Sequence, residues 1–255
     1  MLDYHFSYAV GAVLYAAAWG IFFLFNPRFR NQMLLGSALS APFALSGFLF
    51  MPLYWHPPSL FNLDLRVGIG FEDVLWSAAV GGIAAVTGEI LFREPLVRIE
   101  SQAKRNVFVP IAATVLVFAA LELLNRHAAM NNLLAGFVTG GAVVAAVRRD
   151  LILYMLRSGA AFTAVYFLLF CSLMLIFPEF VSRYWNAKAL VGVYVLGVPV
   201  EELEFAFTGG ALWSALWAYS RGFGLAASNT RRMRPSDLVP ALKRAEITTT
   251  PAAGK

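Results

Sequence analysis

The chain reads as long apolar runs separated by short polar connections, and about 20 mostly apolar residues are what a membrane-spanning helix needs. Seven runs qualify: 4–25, 32–54, 68–92, 107–124, 132–147, 151–177 and 189–219. The fifth is short. The last is long and interrupted by Pro199, which removes a backbone donor and breaks or kinks a helix. Residues 189–196 are therefore read as interfacial, with the true span beginning near Pro199. The pattern predicts an all-α, polytopic helical bundle of about seven spans.

Composition agrees with this pattern. The chain is 59% hydrophobic and 14% charged, where a soluble domain carries about 25% charged residues. The first apolar run is long enough to span, so it reads as a helix and not as a removable signal. The single Cys171 excludes an intrachain disulfide. A net charge of +5 could point to nucleic acid, but the basic residues are placed for topology. With the N-terminus outside, only Arg66, Arg126, Arg183 and Lys188 fall on the outer side, and Arg157 lies within the sixth span. Every other Lys and Arg lies inside, as the positive-inside rule requires. The expected location is a cell membrane, with the C-terminus cytoplasmic. Residues 222–255 read as a disordered basic tail attracted to anionic lipid.

A shift of 129 positions lays one stretch of the chain on another. Gly68-Ile-Gly-Phe-Glu72-Asp73-Val-Leu-Trp76 then faces Gly197-Val-Pro-Val-Glu201-Glu202-Leu-Glu-Phe205, and Gly81 falls on Gly210. Tyr54–Trp55 and Tyr184–Trp185 match with one residue of offset. The chain therefore divides into a three-helix unit (1–106), a linking helix (107–131), a second three-helix unit (132–221) and the tail. An odd linking helix makes the two units parallel, related by an axis along the membrane normal. Both acidic pairs then lie towards one side.

Acids inside a span cost roughly 2.5 to 3.5 kcal/mol each at the helix centre, and they are tolerated when they face the bundle interior. Adjacent helical residues point about 100° apart, so one acid of each pair can face a site while its neighbour supports it. Glu201 and Glu204 share a face with Thr208, and Glu202 turns away from it. A plainer reading has Glu72 and Asp73 only capping the third span, where a helix N-terminus welcomes negative charge. The recurrence at matching positions favours function. Four carboxyls gathered in a dry site cannot all ionise, and one that holds its proton can protonate a base as poor as an alkene. Glu122 reads as interfacial.

Several chemistries are disfavoured by the sequence. His5, His56 and His127 lie near outer span ends and cannot assemble a multi-histidine iron cluster. Lys104, Lys188, Lys243 and Lys255 lie in connections or the tail, where no retinal Schiff base forms. Gly68-Ile-Gly-Phe lacks the third glycine and preceding strand of a dinucleotide site, and there is no DxxxD pair to hold a metal diphosphate. No cofactor and no metal are expected. Gly81–Gly82 and Gly209–Gly210 read as close helix contacts.

Two parallel three-helix units, each opening its third helix on a Pro-x-Glu-Glu-like motif, resemble the lycopene cyclase domain family. The match is best at Val198-Pro199-Val200-Glu201-Glu202-Leu203. The first copy departs from the pattern: Gly70 stands where proline is usual, and Asp73 replaces the second glutamate. Leu75–Trp76 and Glu204–Phe205 replace the paired phenylalanines that follow the acids. The resemblance implies cyclisation of the linear ends of lycopene without redox cofactor, metal or histidine cluster. It implies Glu201 or Glu202 as proton donor, Glu72 or Asp73 as acceptor, and Trp76, Glu204, Phe205 and Trp213 around the substrate. The implied partners are membrane lipid and a hydrophobic polyene, with self-association or other carotenoid enzymes open. A hydratase, another isoprenoid enzyme, and a non-enzymatic carrier or assembly protein remain alternatives.

Overall fold

The computed structural model describes residues 3–51, 53–63, 68–93, 96–99 and 102–225. Arg66 of the expected outer connection and residues 226–255 of the expected tail lie outside the described residues. The chain is mostly helical. Among the described residues the α-helices are α1 (Ser7–Phe25), α2 (Arg30–Ser40), α3 (Gly47–Phe50), α4 (Phe71–Phe92), α5 (Phe108–Leu124), α6 (Ala129–Val147), α7 (Ile152–Ile176), α8 (Phe180–Tyr184) and α9 (Val200–Arg221). A 3₁₀ stretch, Ala41–Ser46, joins α2 to α3 in one rod. Pro42 explains it, because proline has no N–H for the α-helical ladder.

Among the described residues, five segments are long and apolar enough to cross a membrane: Tyr4–Phe25, Pro27–Phe50, Phe71–Phe92, Arg126–Val147 and Arg149–Ile176. The fifth run is thus not short, because its helical segment begins at Arg126. The second rod ends at Phe50, before the expected Tyr54. α5 is a shorter apolar helix. α9 begins at Val200, immediately after Pro199, as expected. Large apolar side chains cover the outside of the bundle, with Leu116 69%, Leu168 65% and Leu175 84% exposed. Such a surface suits hydrocarbon and not water.

α9 packs against α7, α6 and α4, and α4 packs against α2, α1 and α7. Glycines permit the closest approaches. A Cβ on Gly36 would stand 2.6 Å from the Gly81 carbonyl oxygen, and one on Gly210 would stand 2.8 Å from the Phe162 ring. Both expected glycine contacts are therefore helix contacts. Buried polar groups tie the elements further. Glu89 accepts from Gln32 Nε2 at 2.6 Å and from Leu96 N–H at 2.9 Å. Glu122, expected at an interface, is buried, and it accepts from Asn132 Nδ2 at 2.7 Å. Its carboxyl needs that shelter because α6 folds back directly over the end of α5.

Two short antiparallel pairings close the rods. β1 (Leu96–Arg98) pairs with β4 (Phe223–Leu225), and β2 (Tyr194–Val195) pairs with β3 (Val198–Pro199). The first pairing is locked by Arg148, whose side chain is wholly buried and forms a two-pronged ion pair with Asp150 at 2.9 and 2.7 Å. Arg148 also donates to the Ala218 and Phe223 carbonyls at 3.2 and 2.6 Å. It is a structural clamp. Breaking a buried pair by removing one partner costs about 3–5 kcal/mol. Arg148→Met is accordingly expected to lower the thermal unfolding midpoint in detergent markedly, and an unchanged melt would contradict the clamp.

At the opposite end, Tyr184 Oη donates to the Tyr4 carbonyl at 2.9 Å, and Asn186 Nδ2 donates to the Leu53 carbonyl at 2.8 Å. Trp55 and Trp185 form an isolated antiparallel bridge. α4 and α9 both start at this end, and the N-terminal residues lie here too.

Candidate functional site

α4 opens after Gly70 and α9 after Pro199, and each carries its acids as the second and third helical residues. That register aims free N–H groups and the positive end of the helix dipole at the carboxylates. All four acids are buried: Glu72, Asp73, Glu201 and Glu202.

Each pair divides its work in the same way. The first acids reach out to connecting segments. Glu72 Oε1 accepts from the Leu60 N–H at 2.6 Å, and Glu201 Oε1 accepts from the Val191 N–H at 2.5 Å. The second acids, Asp73 and Glu202, line one predominantly apolar cavity. Only two of the four carboxyls therefore meet in the site, and Glu72 and Glu201 stand behind them.

The two cavity acids are held differently. Asp73 Oδ2 accepts from the Gly70 N–H at 2.7 Å, and Tyr8 Oη donates to its other oxygen. The capping reading of the first pair therefore holds for Asp73 even though it also faces the cavity. Ahead of α9 the corresponding place before the helix is held by Pro199, which has no N–H to offer. Glu202 is instead reached by Tyr166 Oη at 2.7 Å, Tyr54 Oη at 3.1 Å and Trp185 Nε1 at 3.1 Å.

Aromatic rings make the walls. Trp76 and Phe205, equivalent under the 129-residue shift, stack at 5.7 Å with an interplanar angle of 20°. Trp213 closes another side, donating Nε1 to the Gly36 carbonyl at 3.1 Å. Tyr8 leans edge-on against Trp55 at 4.9 Å, and Trp55 lies 5.4 Å from Trp185, a continuous aromatic wall from one acid to the other. Part of the 3₁₀ stretch behind Pro42 also faces in, through Phe43 and Ser46. Of the expected substrate residues, Trp76, Phe205 and Trp213 line the cavity, whereas Glu204 is exposed and lies off it. Two steps along a helix turn a side chain about 200°, so with Glu202 pointing inward Glu204 points away from the cavity. Nothing local in the sequence marks Tyr8, Tyr15, Tyr54 and Tyr166 as cavity residues. The pairing of Tyr54–Trp55 with Tyr184–Trp185 was the signal available for one of them.

The proline-led acidic pair, its tyrosine partners and the aromatic wall of α6, α7 and α9 all fall in one stretch of the chain. Residues 128–219 match the lycopene cyclase family. No curated protein and no solved structure matches the chain. The lycopene cyclase match takes in Tyr166, Trp185, Glu201, Glu202, Phe205 and Trp213. Asp73, Trp76 and Tyr8 come from the preceding, unmatched part of the chain and complete the cavity that the matched residues line.

Proposed function

We propose that the chain is a membrane enzyme that cyclises the end group of a linear carotene by acid–base chemistry in this cavity. The observation that carries the proposal is that Asp73 and Glu202, equivalent residues of the two acidic pairs, face one apolar, aromatic-walled cavity. Glu202 in its acid form adds its proton to the terminal double bond of the polyene. The resulting tertiary cation is attacked by the π pair of a neighbouring double bond, which closes a six-membered ring and moves the charge into it. Asp73 then removes a ring proton, whose C–H pair becomes the new double bond. Atoms and charge balance as an isomerisation, with no electrons exchanged with a cofactor. Trp76, Phe205 and Trp213 offer aromatic faces to the cation, and an apolar wall keeps out the water that would otherwise capture it.

The bundle fits this role as seven spans with the N-terminus outside. Two parallel three-helix units are α1, the α2–α3 rod and α4, then α6, α7 and α9, with α5 linking them. The stacked Trp76–Phe205 pair and the Trp55–Trp185 bridge, each joining equivalent or near-equivalent residues, support an axis between the units. α9 needs no strongly apolar sequence because its neighbours shield it from lipid. The test is pigment extraction from a lycopene-producing host with and without the chain. Ring-ended carotene appearing only with the chain supports the assignment, hydroxylated linear products would make water the captor, and unchanged lycopene would overturn it.

A further inference from the structure

Between α7 and α9 the chain makes a connection whose chemistry is out of place in water. Residues 191–197 read Val-Gly-Val-Tyr-Val-Leu-Gly, are all exposed, and carry no charge. Leu196 and Gly197 form the two-residue tip between β2 and β3, with φ of 48° and 85°. Positive φ at both central residues defines a type I′ turn, for which Asn-Gly, Asp-Gly or Gly-Gly is strongly preferred. Leucine at the first position is sterically disfavoured, and its side chain is 79% exposed. An apolar residue at a strained, exposed tip is accounted for if the tip faces hydrocarbon. Hydrocarbon does not satisfy the backbone groups of an exposed two-stranded hairpin, so the tip belongs near the bilayer interface and not at its centre.

This hairpin forms one wall of a second, apolar groove. Leu190, Tyr194 and Leu196 face Cys171, Met174 and Leu175 across it. Leu175 is itself 84% exposed on the lipid side of α7. Trp185 lines both this groove and the acid cavity. Its indole is therefore the partition between them, and its Nε1 is the group that donates to Glu202. The hairpin is tethered from below by the Glu201 carboxylate, which accepts the Val191 N–H, while Glu201's other oxygen is buried without a partner among the described residues.

We infer that the linear polyene reaches the acid cavity sideways from the bilayer, along the groove between the C-terminal half of α7 and the 190–197 hairpin. Trp185 is the gate and Glu201 the positioning residue that holds the hairpin beside it. This inference rests on the polyene substrate proposed above. A polyene is dissolved in hydrocarbon, so a route that opens to lipid through leucine, methionine and valine requires no passage through water. It also gives the first acid of the second pair a task distinct from proton transfer.

Cys171 is the single cysteine of the chain, so the groove can be plugged chemically. The full-length protein in lipid vesicles is treated with benzyl methanethiosulfonate, an uncharged reagent, and modification at Cys171 is verified by mass. Lycopene is then supplied from a second vesicle population. Binding is followed through the visible circular dichroism that an achiral polyene acquires in a chiral site. The plug is expected to slow the onset of that signal about tenfold, within the range over which access changes alter association rates. Reductant restores the rate, Cys171→Ala protein does not respond to the reagent, and Cys171→Trp reproduces the slowing without chemistry. The same result is expected in Glu202→Gln protein, where no ring forms. Slowed binding without ring product in the unmodified protein would keep the route and sink the cyclase. Unchanged onset with full modification and in Cys171→Trp, or no induced signal in any form, would overturn the route.

Discussion

Glu202→Gln is expected to abolish ring formation. Glutamine keeps the length of the side chain; its oxygen can accept from Tyr54 and Trp185 while its amide NH2 donates to the Tyr166 hydroxyl oxygen, so the packing at the start of α9 survives. What is lost is the proton. Positioned general acids contribute about 10²- to 10⁴-fold, and an alkene is so weak a base that water cannot substitute inside an apolar cavity. The measurement is product per unit of folded protein in membranes from a lycopene-producing host, with the thermal melt as control for folding. Asp73→Asn is the informative partner, because Asp73 already holds the Gly70 N–H and the Tyr8 hydroxyl. If Asp73 only removes the ring proton, its variant should stall after protonation and release a different distribution of end groups. Full activity in Glu202→Gln at a normal melt would sink the assignment of Glu202 as acid.

Long apolar runs made the helices legible, because a chain in lipid must satisfy its backbone within each helix. The start of α9 was legible through Pro199. The acidic pairs were legible as a repeated device, but not the division within each pair, since that depends on which direction each helix faces once packed. Glu204 illustrates the difficulty: its spacing groups it with Glu201, yet the helix turns Glu202 inward. The cavity's tyrosines were hidden for another reason. Tyr54 and Glu202 are 148 residues apart, and Tyr8 and Asp73 are 65 apart. No local pattern records such a meeting. Glu122 looked interfacial because its partner Asn132 sits on the next helix. The β2–β3 hairpin was concealed by its own composition, since a Leu-Gly tip among valines lacks the polar turn residues that usually announce one.

The contrast between Gly70 and Pro199 leads to the second large effect. Both residues stand immediately before a helix whose third position is an acid, the arrangement in which that acid folds back to the N–H of the capping residue. Asp73 does so. Glu202 cannot, because Pro199 has no N–H, and its carboxyl is left to the tyrosines and Trp185. Pro199→Gly should therefore draw Glu202 back onto the new N–H and away from the cavity. Displacements of about 1 Å can cost 10²-fold in rate, and a loss of about that size is expected in ring formation, with α9 intact by thermal melt. Glycine also loosens the backbone, so Pro199→Ala is the deciding comparison. Alanine supplies the same N–H with less freedom, and Pro199 has φ −58° and ψ 141°, which alanine adopts readily. Equal losses in both variants would identify the restored N–H as the cause. A loss in Pro199→Gly alone would assign proline's role to stiffness, and the missing donor would no longer explain why Glu202, and not its equivalent Asp73, is free to act as the acid.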